Sequence, residues 1–461
     1  MNRRLEEIYL KSPFFMRRLM GNAEGIRRNL YRKYGDYKAL LLSISSQDPL
    51  RNGTSERELC KRLDGLLRLA HERVPFYGDK AYDITISRLE DLEKLPLLKK
   101  EVLRQRMTEF IAEGTGKGQL YQSSTSGSTG TPMHFFTDRE SMRQSKAYCE
   151  SFYASLGMTE KTRTVKISGV KVAAYDAKKP PYWVYIDVYR QLQCSSLHIS
   201  SQTVEAYFDA FRRYRVEFGT GYPTAWLFLA QAAEQKGIHP PKLKAIVTDS
   251  EGITPEQQAY VEKIFGCPLY QTYGTSEVAC FSIMCPEGHY HVFPGNIVVE
   301  ITDDQGRRRK FGEEGNIVVT DLHSEHFPYI RYQTGDLGIL GKGQCACGWK
   351  SPWLSQVTGR VEDYIITGDG RKIRRLGHIM KPAVGVAKSQ LVQTGPDRLE
   401  IHVVPAKDFM PQSMETVLQQ AKQYIGTEFS ISWKTVAELE KTKKGKVKYI
   451  VRKWDAGETD V

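Results

Sequence analysis

Four short stretches of this chain combine residue types that could hold a nucleotide and drive chemistry at a phosphate. The first is Ser123-Ser124-Thr125-Ser126-Gly127-Ser128-Thr129-Gly130-Thr131-Pro132. Small hydroxyl residues interrupted by glycines let backbone N–H groups converge on an anion, and the hydroxyls add donors. No Gly-Lys-Ser/Thr follows, so this is not a Walker A loop. A flexible polar linker has the same composition, but an apolar strand pattern resumes at once with Met133-His134-Phe135-Phe136. The second stretch is Tyr270-Gln271-Thr272-Tyr273-Gly274-Thr275-Ser276-Glu277, after an expected strand. Its ring, glycine, hydroxyl and carboxylate could stack a base, bond a phosphate and hold Mg²⁺ through Glu277. The plain alternative is a strand-to-helix turn with Ser276 as N-cap.

The third stretch is Arg331-Tyr332-Gln333-Thr334-Gly335-Asp336-Leu337-Gly338. An aspartate after a glycine turn can accept both hydroxyls of a ribose, although Thr-Gly-Asp is also a common turn. The fourth is Lys441-Thr442-Lys443-Lys444-Gly445-Lys446-Val447-Lys448, whose five lysines repel one another. Such a run is usually a solvated face, and a working lysine there needs an anionic partner. A separate feature is Cys285-Pro286-Glu287-Gly288-His289-Tyr290-His291 with the later Cys345-Ala346-Cys347. Three cysteines and one histidine suit a closed tetrahedral zinc site, with His291 preferred over His289 because it starts the next strand. The two halves lie far apart in sequence, so spacing alone leaves buried core cysteines as an alternative.

The elements that must position these residues follow from length and pattern. At 461 residues the chain exceeds one ordinary domain. Hydrophobic residues at 40% and charged residues at 26% allow a large core. No apolar run is long enough to span a bilayer, and the charged N-terminus has no signal-peptide core, so a cytoplasmic protein is expected. The net charge of +12 is spread without long blocks, which suits an anionic small molecule or glycan at least as well as nucleic acid. A disulfide framework is not expected from the eight cysteines. Residues 1 to about 115 read as mainly helical. Short apolar strands such as Thr164–Ile167 and Lys244–Thr248 then alternate with helices, which argues for an α/β sheet. From Gly295 to Leu340 the pattern is a β-meander, turning at Asp304-Gln305-Gly306. The last hundred residues read as α+β: strand Leu399–Pro405, helix Met414–Ile425, strand Phe429–Trp433. The expected architecture is an α/β N-terminal domain over 1–360, with a β-rich subdomain, and a small α+β domain over 361–461.

Taken together and in this order, the four stretches resemble the adenylate-forming superfamily of acyl-CoA synthetases, adenylation domains and luciferases. Val74-Pro75-Phe76-Tyr77, Lys94-Leu95-Pro96-Leu97-Leu98-Lys99-Lys100 and the Cys-x-Cys are similar to the phenylacetate–CoA ligase branch, above all its capsule-biosynthesis (CapK-like) members. The resemblance implies a mobile C-terminal lid over a large domain that binds ATP and a carboxylic acid, with a hinge near Glu362. It implies that Ser124, Ser126, Gly127, Ser128, Thr129 and Gly130 cover the β- and γ-phosphates. Ser250, Glu251 and Gly252 would line the adenine pocket, with Tyr273 and Gly274 beside it. Thr275 would touch the α-phosphate and Glu277 would hold Mg²⁺. Asp336 would take the ribose hydroxyls with Arg360 next to it, and Lys446 would stabilise charge as pyrophosphate leaves. Relatives that bind zinc at matching positions support Cys285, His291, Cys345 and Cys347 as a structural set. Tyr153, Val170, Tyr222 and Pro223 are candidates for the acid's pocket.

Two departures bear on the acceptor. Gln333 stands where aryl-CoA ligases of this type often carry a basic residue. The stretch Ile366–Ile373 lacks the Gly-Val-Asn-x-x-Pro segment that helps shape the thiol-transfer face. The expected function is therefore ATP-dependent acyl-adenylate formation followed by transfer to a thiol such as CoA. An amine acceptor, as in capsular polysaccharide assembly on a sugar-linked acid, is the alternative. A non-catalytic zinc-ribbon protein that binds nucleic acid is the alternative of another class.

Overall fold

The computed structural model describes residues 8–124, 134–170, 172–174, 177–250, 252–253, 255–360, 364–368, 372–374, 376–380, 382–406, 408–440 and 449–454. They fall into two compact units, the first made of the described residues up to Ser123 and of His134–Val357, the second of Ser124 and the described residues from Thr358 on.

The first unit opens with helices, and their boundaries follow local rules. Helix Glu56–Arg73 starts at Ser55, whose hydroxyl accepts from the Glu58 N–H, and carries Glu56 and Glu58 in its first turn. Leu59, Leu63, Leu66, Leu67 and Ala70 recur at helical spacing and are buried, and the helix stops before Pro75. Helix Arg139–Ser155 starts at Asp138, which accepts from the Glu140 N–H. The other Asp138 oxygen takes both the backbone N–H and the ring Nδ1 of His326, so the cap also pins a distant loop.

A mixed sheet of twelve strands forms the body of this unit. Strands Thr164–Ser168, Gln191–Ser195, Phe218–Gly221, Ala245–Thr248 and Leu269–Thr275 make its parallel part. Helices Val204–Tyr214, Pro223–Lys236 and Pro255–Phe265 link the last four, as parallel crossovers require. Trp226, Phe211, Phe265 and Leu192 belong to the core packed against this sheet. Beyond Leu269–Thr275 the sheet turns antiparallel, ending in the meander Ile297–Thr302, Glu314–Asp321 and Tyr332–Leu340. The largely helical start, the α/β middle and the meander all match the sequence patterns.

One charged residue ties the meander to the helical region. Arg331 is almost fully buried and sits at φ +49°, a conformation that few side chains adopt. Its guanidinium donates to both carboxylate oxygens of Glu300 at 3.0 and 3.1 Å. It also donates to the Leu95 and Gly306 carbonyls, each at 2.6 Å. Its backbone carbonyl accepts from the Leu98 N–H at 2.9 Å, and the Gln333 N–H donates back to Leu98 at 2.9 Å.

The second unit holds a four-stranded sheet. Val386–Gly395 and Arg398–Pro405 pair antiparallel, while Ser430–Thr435 and Ile450–Arg452 join as parallel edges. Met414, Val417, Ala421 and Ile425 of helix Ser413–Ile425 share a core with Leu391, Leu399, Ile401 and Val403.

Replacing Arg331 with Met leaves the buried Glu300 with Arg308, 3.3 Å away, as its remaining cation. The expected cost is about 3 kcal/mol of unfolding free energy, read by urea denaturation. The double variant Arg331→Met/Glu300→Met is expected to recover most of that loss. A single variant as stable as the parent overturns the assignment of this pair as a structural constraint.

Candidate active site

The second and third chemical stretches meet. Strand Leu269–Thr275 pairs in parallel with Ala245–Thr248 and antiparallel with Ala279–Met284. The register slips between Tyr273 and Gly274, a bulge that re-aims the side chains around it. Glycine is required there, since a Cβ on Gly274 would lie 2.1 Å from the Ala279 carbonyl oxygen. The turn then enters a strand rather than a helix, so the N-cap reading of Ser276 does not hold. The Thr275 hydroxyl accepts from the Val278 N–H at 3.3 Å and closes the turn.

Two tyrosines bind the stretches together. The Tyr273 hydroxyl donates to Asp336 Oδ2 at 2.9 Å, and the Tyr332 hydroxyl donates to Glu277 Oε1 at 2.8 Å. Strands Leu269–Thr275 and Tyr332–Leu340 stand four places apart in the strand order. A flat sheet would separate them by about 19 Å at ~4.8 Å per strand. The sheet therefore curls, bringing the face of one strand to the other. Asp336 follows Gly335 (φ +83°), and its backbone N–H donates to the Thr334 hydroxyl, itself anchored on the Ile317 carbonyl.

Glu277 is 2% exposed and has a second partner, Lys100, whose ammonium lies 3.4 Å from Oε1. Lys100 is delivered there because Leu98 bridges to Tyr332 two residues earlier. In sequence, Lys100 falls in the run Lys94–Lys100 and Tyr332 in the third stretch, and neither position signals a role by itself. The pairing joins segments 177 residues apart, which no local spacing reveals.

Ser250, Gly252, Val170 and Tyr222 follow the C-terminal ends of parallel strands, where ligands bind in open α/β sheets. Ser250 follows Ala245–Thr248 at φ +70°, and its hydroxyl donates to Asp249 Oδ1 at 2.7 Å. Asp249 Oδ2 lies 3.5 Å from the Lys166 ammonium. Gly252 is buried nearby in sequence, while Glu251 lies outside the described residues. Tyr222 precedes helix Pro223–Lys236, and a Cβ on Gly169 would come within 3.3 Å of its hydroxyl. Val170 is about half exposed, and burial lifts the Tyr153 phenol well above its ordinary range. Ser124 ends strand Leu120–Ser124 and Arg360 ends strand Trp353–Arg360. Ser126, Gly127, Ser128, Thr129, Gly130, Glu362 and Lys446 lie outside the described residues.

The cysteine-histidine set forms a compact cluster. The ligand atoms of Cys285, His291, Cys345 and Cys347 all lie within 4.8 Å of one another. The Cys285 and Cys345 sulfurs are 3.9 Å apart, and the Cys347 sulfur is 3.3 Å from His291 Nε2. A tetrahedral zinc with bonds of 2.0–2.3 Å has edges of about 3.5–3.8 Å, so the spacing fits. His291 Nδ1 meets the Ser351 hydroxyl at 2.9 Å, leaving Nε2 to face the sulfurs, and the Trp349 N–H donates to Cys347 at 3.4 Å. Burial pulls His291 down to about 4, which keeps it in the neutral, metal-binding form, and pushes the Cys285 thiol up to about 12. His289 points Nδ1 at Cys345 from 3.2 Å and stacks near Trp353, so it lines the cluster from outside the four.

Comparison with known proteins gives this site its class. The AMP-binding enzyme family matches residues 192–323, and the CapK C-terminal domain family matches residues 365–453. Protein CapK of Staphylococcus aureus is 22% identical over 463 aligned residues, covering 97% of this chain and 99% of that protein. The phenylacetate–coenzyme A ligase of Pseudomonas putida is 26% identical over 355 residues, 71% of this chain and 75% of that enzyme. A solved 2-hydroxyisobutyryl-CoA ligase, bound to its acyl-adenylate and CoA, shares the fold at a TM-score of 0.59 and 18% identity, over 88% of this chain and 92% of that one. These matches support an adenylate-forming ligase, similar to the CapK-like and phenylacetate–CoA ligase branch of that superfamily.

Substituting Lys100 with Met strips the buried Glu277 of its cation. Stability at pH 8 is expected to fall by about 1–3 kcal/mol, the cost of leaving a buried carboxylate under-compensated. Lys100→Arg should keep most of the parent's stability. Urea denaturation checks this, and a Lys100→Met variant as stable as the parent refutes the charge pairing.

Proposed function

We propose that the enzyme condenses a carboxylic acid with ATP to an acyl-adenylate, releases pyrophosphate, and transfers the acyl group to a thiol such as CoA. The observation that carries this reading is the joined pair Tyr273–Asp336 and Glu277–Tyr332, placed where the parallel strands end. Asp336 accepts the ribose hydroxyls, Tyr273 flanks the adenine, and the Thr275 hydroxyl faces the α-phosphate. Ser250, Glu251 and Gly252 line the base, and Arg360 stands beside the ribose. The Ser124–Gly130 run covers the outer phosphates with N–H and hydroxyl donors. Glu277 offers a hard carboxylate oxygen for Mg²⁺, which when bound offsets triphosphate charge. A carboxylate repels nucleophiles and has no good leaving group; attachment to AMP removes both obstacles. Lys446 keeps the role that the resemblance gives it, stabilising charge as the phosphoanhydride breaks. In this reading residues 1–360 bind the substrates and 361–461 act as the mobile lid.

A second acceptor has a specific observation behind it. Alignment with CapK runs almost end to end, whereas the phenylacetate–CoA ligases align over about 66–71% of this chain. The missing Gly-Val-Asn-x-x-Pro segment points the same way. Transfer to an amine, with a sugar-linked acid such as a uronate as donor, is that second reading.

ATP–pyrophosphate exchange across aryl, fatty, amino and uronic acids is expected to respond to one acid class. It should fall by orders of magnitude in Lys446→Ala, as loss of a transition-state cation does. AMP release driven by CoA or by amines then names the acceptor. Exchange with every acid equal in parent and variant refutes adenylation through Lys446.

We also propose structural zinc at Cys285, His291, Cys345 and Cys347. Four protein ligands leave no position for substrate, so its contribution is to stability. Purified protein is expected to carry about one zinc per chain by elemental analysis. Cys347→Ser should lose the metal and lower the melting temperature, and a metal-free parent with the same melting temperature excludes the assignment.

A further inference from the structure

Helix Phe14–Arg32 presents an apolar face that nothing among the described residues covers. Phe15 is 63% exposed, Leu19 66%, Ile26 51% and Leu30 70%. At 100° per residue these four fall within a 60° sector, extending about 22 Å along the helix. The stripe is not a packing accident, because the opposite side fixes the helix's rotation. Gly21 and Gly25 lie against the edge of the sheet. A Cβ on Gly21 would sit 2.5 Å from Ile186 Cδ1, and one on Gly25 would sit 2.6 Å from Val188 Cγ1. Arg18 and Asn22 both bond Asp187 beside that edge. With the glycine side held down, the apolar stripe must face outward.

Charge names the occupant. Between residues 8 and 33 the chain carries seven Lys or Arg residues against one acidic residue, Glu24, a net charge of +6. Arg18 and Arg27 lie on the two flanks of the stripe at helical spacing and are about half exposed. Each is paired with a carboxylate, yet a guanidinium has five N–H donors and can bond a further anion. An apolar stripe between arginines is the pattern of a helix lying in the interface of an anionic membrane. Self-association through the same face is disfavoured, because an isologous contact would set two segments of charge +6 against each other.

We propose that this face of the enzyme docks on anionic lipid bilayers, with Phe15, Leu19, Ile26 and Leu30 entering the headgroup boundary and the flanking arginines meeting lipid phosphates. The inference goes beyond the ligase reading and does not depend on it. Membrane residence would bring the active site to a substrate carried on a lipid or made at the bilayer.

The test is flotation of the full-length protein with vesicles of phosphatidylcholine containing about one third phosphatidylglycerol, beside vesicles of phosphatidylcholine alone. The chain is expected to float with the anionic vesicles, to stay behind with the neutral ones, and to release as salt rises. Leu19→Gln/Leu30→Gln should weaken partitioning at least tenfold, with an unchanged melting temperature because both side chains are exposed. Phe311→Gln, 61% exposed on another element, is the control and should float like the parent. No flotation, equal binding to neutral vesicles, or equal binding by the double variant overturns the proposal. A parent dimer that the double variant converts to monomer, with no vesicle binding, assigns the face to a second copy instead and also overturns it.

Discussion

The ion pair between Arg331 and Glu300 is the constraint on which the working side of the first unit rests. An arginine buried this deeply is tolerated only when its donors are used, and here Glu300, Leu95 and Gly306 take them. The pair joins three segments with no sequence proximity: the run around Lys94–Lys100, the hairpin through Gly306, and the start of strand Tyr332–Leu340. Every residue of the candidate site on that strand is counted from Arg331. Tyr332 reaches Glu277, and Asp336 reaches Tyr273, only in this register.

A curled sheet does the remaining positioning. The strands carrying Tyr273 and Asp336 lie far apart along the hydrogen-bonded order, so their contact depends on curvature rather than on pairing. The bulge at Gly274 adds to that bend. Buried polar groups elsewhere show the same economy. Asp138 caps a helix and holds His326. Asp321 accepts from the Ser141 hydroxyl, and burial raises its carboxyl to about 7, well above the usual carboxylate range.

The cysteine-histidine cluster and the basic helix are separate devices on the same unit. The cluster gathers two loops around four soft and borderline ligands, and its ordering groups are ordinary: a serine hydroxyl on the imidazole and an N–H on a sulfur. The helix uses glycines to press one side onto the sheet and thereby commits its leucines to the outside.

Much of the fold was legible because its signals are local. Ser55 before Glu56 and Glu58, the leucines of Glu56–Arg73, and the β-branched run Ile297-Val298-Val299 state their own secondary structure through hydrogen-bond capping, helical spacing and strand preference. Glu277, Asp336 and the three cysteines stand out in sequence by residue type, and the fold brings Glu277 to Tyr332, Asp336 to Tyr273 and the cysteines to one another. What tertiary structure decided is pairing. Lys100 with Glu277, Tyr332 with Glu277, and Gly21 and Gly25 of Phe14–Arg32 against Ile186 and Val188 all join residues that are distant in sequence. Sequence fixes the donors, acceptors and periodicities. Only the closed geometry of the sheet, and the cost of burying a charge without a partner, determines which of them meet.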